Sequence, residues 1–69
     1  MSNIGKNLLN ALKLKYESEI ECAKATLSVY ITNPVGIGEH PQHLEEMDTL
    51  IEKIANNKDK LEALNSINN

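Results

Sequence analysis

Two histidines and a carboxylate recur at intervals of three residues where the second half of the chain begins. His40, His43 and Glu46 would follow one side of a helix that starts near Pro41. Imidazole and carboxylate groups are ligands that zinc and nickel accept, so these three residues are a candidate metal site. We prefer a solvated helix N-terminus with surface histidines, because successive steps of three drift around a helix and no known zinc motif has this spacing. The prediction is therefore no metal and no other cofactor.

The remaining reactive residue types do not form a catalytic set. Cys22 lies between Glu21 and Ala23 in a helical pattern. A reactive thiolate requires positive surroundings, whereas Glu19 and Glu21 supply negative charge. An inert, packed cysteine is therefore predicted. Gly36 and Gly38 are not followed by the lysine and strand-to-helix turn of a phosphate-binding loop. No nucleophile with a base and no pair of carboxylates stands out, so the chain is predicted to be non-enzymatic, with no catalytic residue.

The stretch 33–42 holds both prolines and two of the three glycines. Pro34 cannot lie inside a helix and disfavours helical angles in the residue before it, so the first helix should end near Ile31 or Thr32. Pro41 can open the second helix, there or one or two residues earlier, because a first-turn amide is unpaired anyway. The prediction is an all-α, single-domain helical hairpin over 1–69, with a helix at about 7–32, a loop at 33–40 and a helix at about 41–65.

Apolar residues recur every three or four positions on both sides of this corner, as they do on one face of a helix. The predicted core-facing stripe of the first helix is Leu9, Leu12, Tyr16, Ile20, Ala23, Leu27 and Tyr30. That of the second is Leu44, Met47, Ile51, Ile54, Lys58 and Leu61, with Leu50, Ala55 and Leu64 beside it. A short loop requires antiparallel neighbours, so we expect Tyr30 near Leu44, Ala23 near Leu50 or Ile51, and Leu9 near Leu64.

A chain of 69 residues is marginally stable alone, since it buries only roughly 60% of the surface that its unfolded state exposes. The single cysteine excludes an internal disulfide. Further apolar residues lie partly off the first stripe, namely Leu8, Ala11, Leu14, Cys22, Ala25, Val29 and Ile31. This apolar arc is wider than one partner helix covers. We therefore predict a homodimer in which two hairpins form a four-helix bundle.

The net charge of −3, from seven basic and ten acidic residues, argues against a nucleic-acid partner, which requires concentrated positive charge. A dimer would still cluster its lysines at the ends away from the loop, namely Lys6, Lys13, Lys15, Lys58 and Lys60. No apolar run approaches the ~20 residues that span a bilayer, so no membrane partner is expected. The unpaired cysteine and the lack of a signal peptide predict a cytoplasmic location.

The loop run Asn33-Pro-Val-Gly-Ile-Gly-Glu-His-Pro41, with Leu14 to Ile20 before it and Ile51 to Ala55 and Asp59 to Glu62 after it, carries a family resemblance. It resembles short uncharacterised helical proteins of contractile-tailed bacteriophages (myoviruses), notably those of marine bacteria. The resemblance covers roughly residues 12–64. Those proteins tend to carry Ala-Glu where this chain has Asn57-Lys58. The resemblance implies a phage origin and an infected-host cytoplasm or virion setting, and it transfers no catalytic residue.

Together these features predict a small non-enzymatic phage protein that acts as a protein–protein interaction module for an unknown host or phage protein. The loop tip is its most distinctive surface, so the partner-binding candidates are Val35, Ile37, Glu39 and His40. The alternative is a structural or assembly component of the virion. A metal-binding or nucleic-acid-binding accessory role ranks below both.

Overall fold

The structure is a computed structural model that describes residues 3–33 and 41–68. It contains two helices, α1 (Asn3–Thr32) and α2 (Pro41–Asn68), and no strand within those two ranges. The prediction of an all-α, two-helix hairpin is confirmed. The loop at 34–40, with its partner-binding candidates, lies outside the described residues.

Both helices extend beyond the predicted bounds at the ends far from the loop. α1 begins at Asn3 and continues through Gly5, because one interior glycine costs only about 0.5–1 kcal/mol relative to alanine. α2 continues beyond its predicted end at about residue 65 and ends at Asn68. Leu64 is buried, and the Ser66 hydroxyl donates a 2.7 Å hydrogen bond to the Ala63 carbonyl.

The two helices are antiparallel and pair along their whole length. The Tyr30 and His43 rings meet near the loop, with centroids 5.6 Å apart. Farther from the loop, the Lys60 ammonium lies 5.6 Å from the centroid of the Tyr16 ring. The result is a thin rod of 53 × 15 × 14 Å with a radius of gyration of 15.9 Å, against about 11 Å for a compact chain of this length.

The predicted stripe of α1 is the stripe that faces α2, with one exception. Ile20 and Ala23 are buried, and Leu9, Tyr16, Leu27 and Tyr30 are half-buried. Leu12 is exposed instead. Ala23, near the centre of the stripe, is the most deeply buried of these residues, at 2% exposed.

The predicted stripe of α2 is wrong by one residue in part of its length. Leu44 and Ile51 are 67% and 51% exposed, and Lys58 is exposed as well. The residues that face α1 are His43, Met47, Leu50, Ile54, Asn57, Leu61 and Leu64. Their spacing alternates strictly between four and three, which is the repeat of two helices that wind around each other. Aliphatic residues occur in both phases, so the packing against α1 decides between them.

Asn57 occupies a central position on this face of α2 and is only 2% exposed. Its Nδ2 donates to the Lys53 carbonyl at 2.8 Å and to Glu19 Oε2 at 3.2 Å. Its Oδ1 is buried without a hydrogen-bond partner among the described residues. A buried asparagine at such a position fixes the register of paired helices at a cost in stability.

Little apolar surface is fully buried along this contact. Within the two described ranges, the buried apolar residues are Ile20, Ala23 and Leu64. Fully burying a large aliphatic side chain contributes roughly 1.5–3 kcal/mol. Two large aliphatic residues and one alanine therefore make a small core. The isolated hairpin is therefore short of the burial that a stable domain requires.

The burial of Asn57 generates a stability prediction. Asn57→Leu should raise the free energy of unfolding by about 1–2 kcal/mol, because it removes an unsatisfied buried oxygen and adds apolar contact. Urea unfolding followed by circular dichroism, at one fixed protein concentration, measures the change. The control is Asn56→Leu, since Asn56 is exposed and should change stability by less than about 0.5 kcal/mol. A less stable Asn57→Leu protein would contradict the interpretation.

Candidate functional site

The loop-proximal ends of the helices bring together three polar side chains that we call the tyrosine cluster: Tyr30, His43 and Glu46. The Tyr30 hydroxyl donates a hydrogen bond to Glu46 Oε2. The ring of His43 meets that of Tyr30 edge to face, with an interplanar angle of 60°. Tyr30 thus contacts two residues that are three apart on α2, so one α1 side chain joins the ends of both helices.

Two of the three candidate metal ligands, His43 and Glu46, contact Tyr30. Glu46 accepts the hydrogen bond from Tyr30, and His43 packs against the same residue. His40 lies outside the described residues. Among residues 3–33 and 41–68, no group of three His, Cys, Asp or Glu side chains is arranged to hold a metal ion.

Glu46 raises the pKa of the Tyr30 hydroxyl above its ordinary value of 10.0. The largest cause is the hydrogen bond to Glu46, because only the neutral phenol can donate a hydrogen bond to the carboxylate. Desolvation and the negative charge of Glu46 act in the same direction. Tyr30 is thereby held in its neutral, hydrogen-bonding form, which suits a structural contact and is the opposite of what a nucleophilic phenolate needs.

An open groove of about 460 Å³ lies beside the tyrosine cluster. Its lining residues are Thr26, Tyr30, Gln42, Glu45, Glu46, Thr49 and Leu50. The two threonine hydroxyls bond to their own helices, from Thr26 to the Cys22 carbonyl at 2.9 Å and from Thr49 to the Glu45 carbonyl at 3.0 Å. The groove therefore presents carboxylates, and threonine hydroxyls that already donate hydrogen bonds to their own helices. These groups can contact a ligand, but none of the described lining residues is an activated nucleophile.

The predicted packing of Cys22 is wrong, because its side chain is exposed. The neighbouring Ala23 occupies the buried position instead. The lysine cluster predicted for a dimer is not tested by a single hairpin. Lys6 and Lys13 line one groove at the end away from the loop, whereas Lys60 lies over the Tyr16 ring.

Sequence reasoning placed Tyr30 in the core and missed its bond to Glu46. The signal for that bond was available, since antiparallel pairing near residue 37 brings Tyr30 opposite residues 43–46. The pairing of Glu19 with Asn57 was also missed. Nothing in the sequence indicated this pairing, because a polar residue such as Asn57 is not expected at a core-facing position.

Comparisons with known proteins add no further constraint. No protein-family model, no curated protein and no solved structure matches this chain. Neither α1 nor α2 has a segment that is both long enough and apolar enough to cross a bilayer.

The raised pKa of Tyr30 generates a titration prediction. In Tyr16→Phe, ultraviolet absorbance of the remaining tyrosine should show a midpoint above 10.0. Adding Glu46→Gln should lower that midpoint, because it removes the carboxylate that accepts the hydrogen bond from the phenol. Adding Glu45→Gln, a change at an exposed neighbour, is the matched control and should leave the midpoint in place.

The raised pKa of Tyr30 also predicts how the stability of the folded protein depends on pH. Because the pKa of Tyr30 is raised in the folded state, its contribution to stability is fully present below the pKa of an unfolded tyrosine. That contribution is lost as pH rises through the folded value. Equal midpoints in the Glu46→Gln and Glu45→Gln proteins would contradict the assignment of the shift to Glu46.

Proposed function

We propose that this protein is a non-enzymatic, self-associating helical hairpin, and that its dimer, a four-helix bundle, presents a binding surface to a protein partner. The supporting observation is the amount of large aliphatic surface that the hairpin leaves exposed. The exposed residues are Ile4, Leu8, Leu12, Leu14, Val29, Ile31, Leu44, Ile51 and Ile67.

This exposure matters because it exceeds what the hairpin buries. The core of the described chain contains two large aliphatic residues, Ile20 and Leu64, and the small Ala23. Single exposed apolar residues are ordinary, but exposed apolar residues that share one side of a helix mark an interaction surface, and Ile4, Leu8 and Val29 share one side of α1. Burying a few of these side chains against a second hairpin would add roughly 1.5–3 kcal/mol each. Self-association therefore supplies the burial that the monomer lacks.

The chemistry of the described residues supports binding in place of catalysis. The hydroxyls beside the open groove are bonded to their own helices, and the Tyr30 phenol is held neutral. The phage setting, in the cytoplasm of an infected host, is part of the proposal through the resemblance of the loop and its flanking segments. The loop residues Val35, Ile37, Glu39 and His40 remain the proposed contact with a host or phage protein.

Sedimentation velocity tests self-association. At tens of micromolar the chain should sediment as a dimer, twice the 7.7 kDa mass of one chain, and the dimer should dissociate on dilution. Its thermal midpoint should rise with protein concentration, because association stabilises the folded state by mass action. A monomer at all concentrations would overturn the bundle proposal.

Affinity capture tests the loop as a partner-binding surface. A tagged chain is incubated with lysate of phage-infected marine bacteria, and bound proteins are identified by mass spectrometry. The double variant Val35→Ser/Ile37→Ser should lose a partner that the unchanged chain retains. Ile67→Ser, at an exposed isoleucine of the opposite end, is the matched control and should retain it. Identical sets of bound proteins for all three baits would count against the loop.

A further inference from the structure

α1 carries a second helical stripe on the side turned away from α2. This outer stripe consists of Ile4, Leu8, Ala11, Lys15, Ser18, Cys22, Ala25, Val29 and Thr32, all of them exposed. Its spacing alternates between four and three residues, which is also the spacing of the buried stripe of α1 from Tyr16 onward. Two stripes with the same repeat keep a constant angle between them, so the outer stripe remains turned away from α2 along the helix.

The composition of the outer stripe is unlike that of a solvated helix face. Lys15 is its only charged member, and the large side chains of Ile4, Leu8 and Val29 are 73%, 63% and 58% exposed. The outward positions of α2 are acidic by comparison, with exposed Glu45, Asp48, Glu52, Asp59 and Glu62. The hairpin therefore has one charged outer face, on α2, and one nearly uncharged outer face, on α1.

The outer stripe is partly symmetric about Ser18, although Lys15 on one side corresponds to Cys22 on the other. Ala11 and Ala25 lie seven residues before and after Ser18, and the large Leu8 and Val29 lie beyond them. Helices that cross at an angle are closest at the crossing point and separate toward their ends. The small residues near the centre and the large Leu8 and Val29 farther out fit such a crossing, with the long side chain of Lys15 as the exception. A twofold interface requires a patch that complements itself, and a stripe symmetric about one residue does so when two copies run antiparallel.

Charge complementarity selects the same arrangement. Lys15 lies three residues before Ser18, and Glu21 lies three residues after it. Antiparallel pairing about Ser18 therefore places Lys15 of each copy at the same level along the interface as Glu21 of the other, whereas parallel pairing would place the two Lys15 residues at one level. Glu21 is available for this contact, because its side chain is 72% exposed and its distance to Lys24 is a long 3.9 Å.

We propose that a second copy of this chain packs on the outer stripe, α1 against α1 and antiparallel, with the crossing at Ser18. The proposal rests on the self-association proposed above and specifies the surface that carries it. The two α1 helices form the inner pair and the two α2 helices the outer pair, so the four helices lie in a row in place of a bundle around one shared core. The charged outer faces of the two α2 helices remain in water.

Disulfide cross-linking tests this geometry. In Cys22→Ser/Ser18→Cys the two new cysteines meet at the crossing, so copper-phenanthroline should convert the dimer to a covalent form at least tenfold faster than the unchanged chain. The native Cys22 residues would be offset by ~6 Å along each helix and ~12 Å from each other, beyond the ~7 Å that a disulfide spans between Cα atoms. Cys22→Ser/Asp59→Cys, with its cysteine on the outer face of α2, gives the rate of chance collision.

The outcomes separate the geometry from the self-association. Faster cross-linking of the unchanged chain would indicate parallel α1 helices and overturn the inference. Sedimentation as a dimer with cross-linking at Ser18→Cys no faster than at Asp59→Cys would assign the dimer to another face, which overturns the inference and leaves self-association standing. A monomer in sedimentation would overturn both.

Charge exchange gives an independent measurement. Lys15→Glu should raise the dimer dissociation constant at least tenfold, because each new carboxylate lies at the same level along the interface as Glu21 of the other copy. Adding Glu21→Lys should restore it to within about threefold. Lys58→Glu, an equal charge change at an exposed position of α2, is the control and should leave the dissociation constant unchanged. No difference between Lys15→Glu and Lys58→Glu would overturn the inference.

Discussion

The packing of α1 against α2 along a single contact is the constraint on which the rest of this structure depends. A two-helix rod encloses no interior, so each helix can bury only the narrow strip that touches the other. That geometry explains why many core-facing residues are only half-buried and why the fully buried apolar set is limited to Ile20, Ala23 and Leu64 among the described residues. It also explains why apolar residues outside the strip are left in water.

Polar side chains define the alignment of this contact as much as apolar ones do. Asn57 bonds across the interface to Glu19 at its middle, and Tyr30 bonds to Glu46 at the loop-proximal end. Aliphatic contacts tolerate sliding of one helix along the other, whereas a hydrogen bond has a defined distance and direction. The two bonds therefore favour one alignment of the antiparallel pair, at a cost in stability that is clearest at the unpaired oxygen of Asn57.

The two outward faces of the hairpin differ, and that difference bears on function more directly than any single residue. The acidic face of α2 repels a second copy of itself and remains hydrated, while the nearly uncharged face of α1 favours association. The proposed self-association uses the nearly uncharged face of α1 and leaves the acidic face of α2 exposed.

The sequence by itself determined the helical class, the antiparallel turn between Thr32 and Pro41, and the buried stripe of α1, because proline chemistry and helical periodicity are local properties of the chain. It also identified His43 and Glu46 as neighbours on α2, although not their shared contact with Tyr30. Only the tertiary structure decided the phase of α2, the burial of Asn57 and the exposure of Cys22. The physical reason is that α2 offers aliphatic residues in two adjacent phases, as the pair Leu50 and Ile51 shows. The choice between those phases depends on which residues of α1 lie opposite, and no local pattern in α2 encodes that.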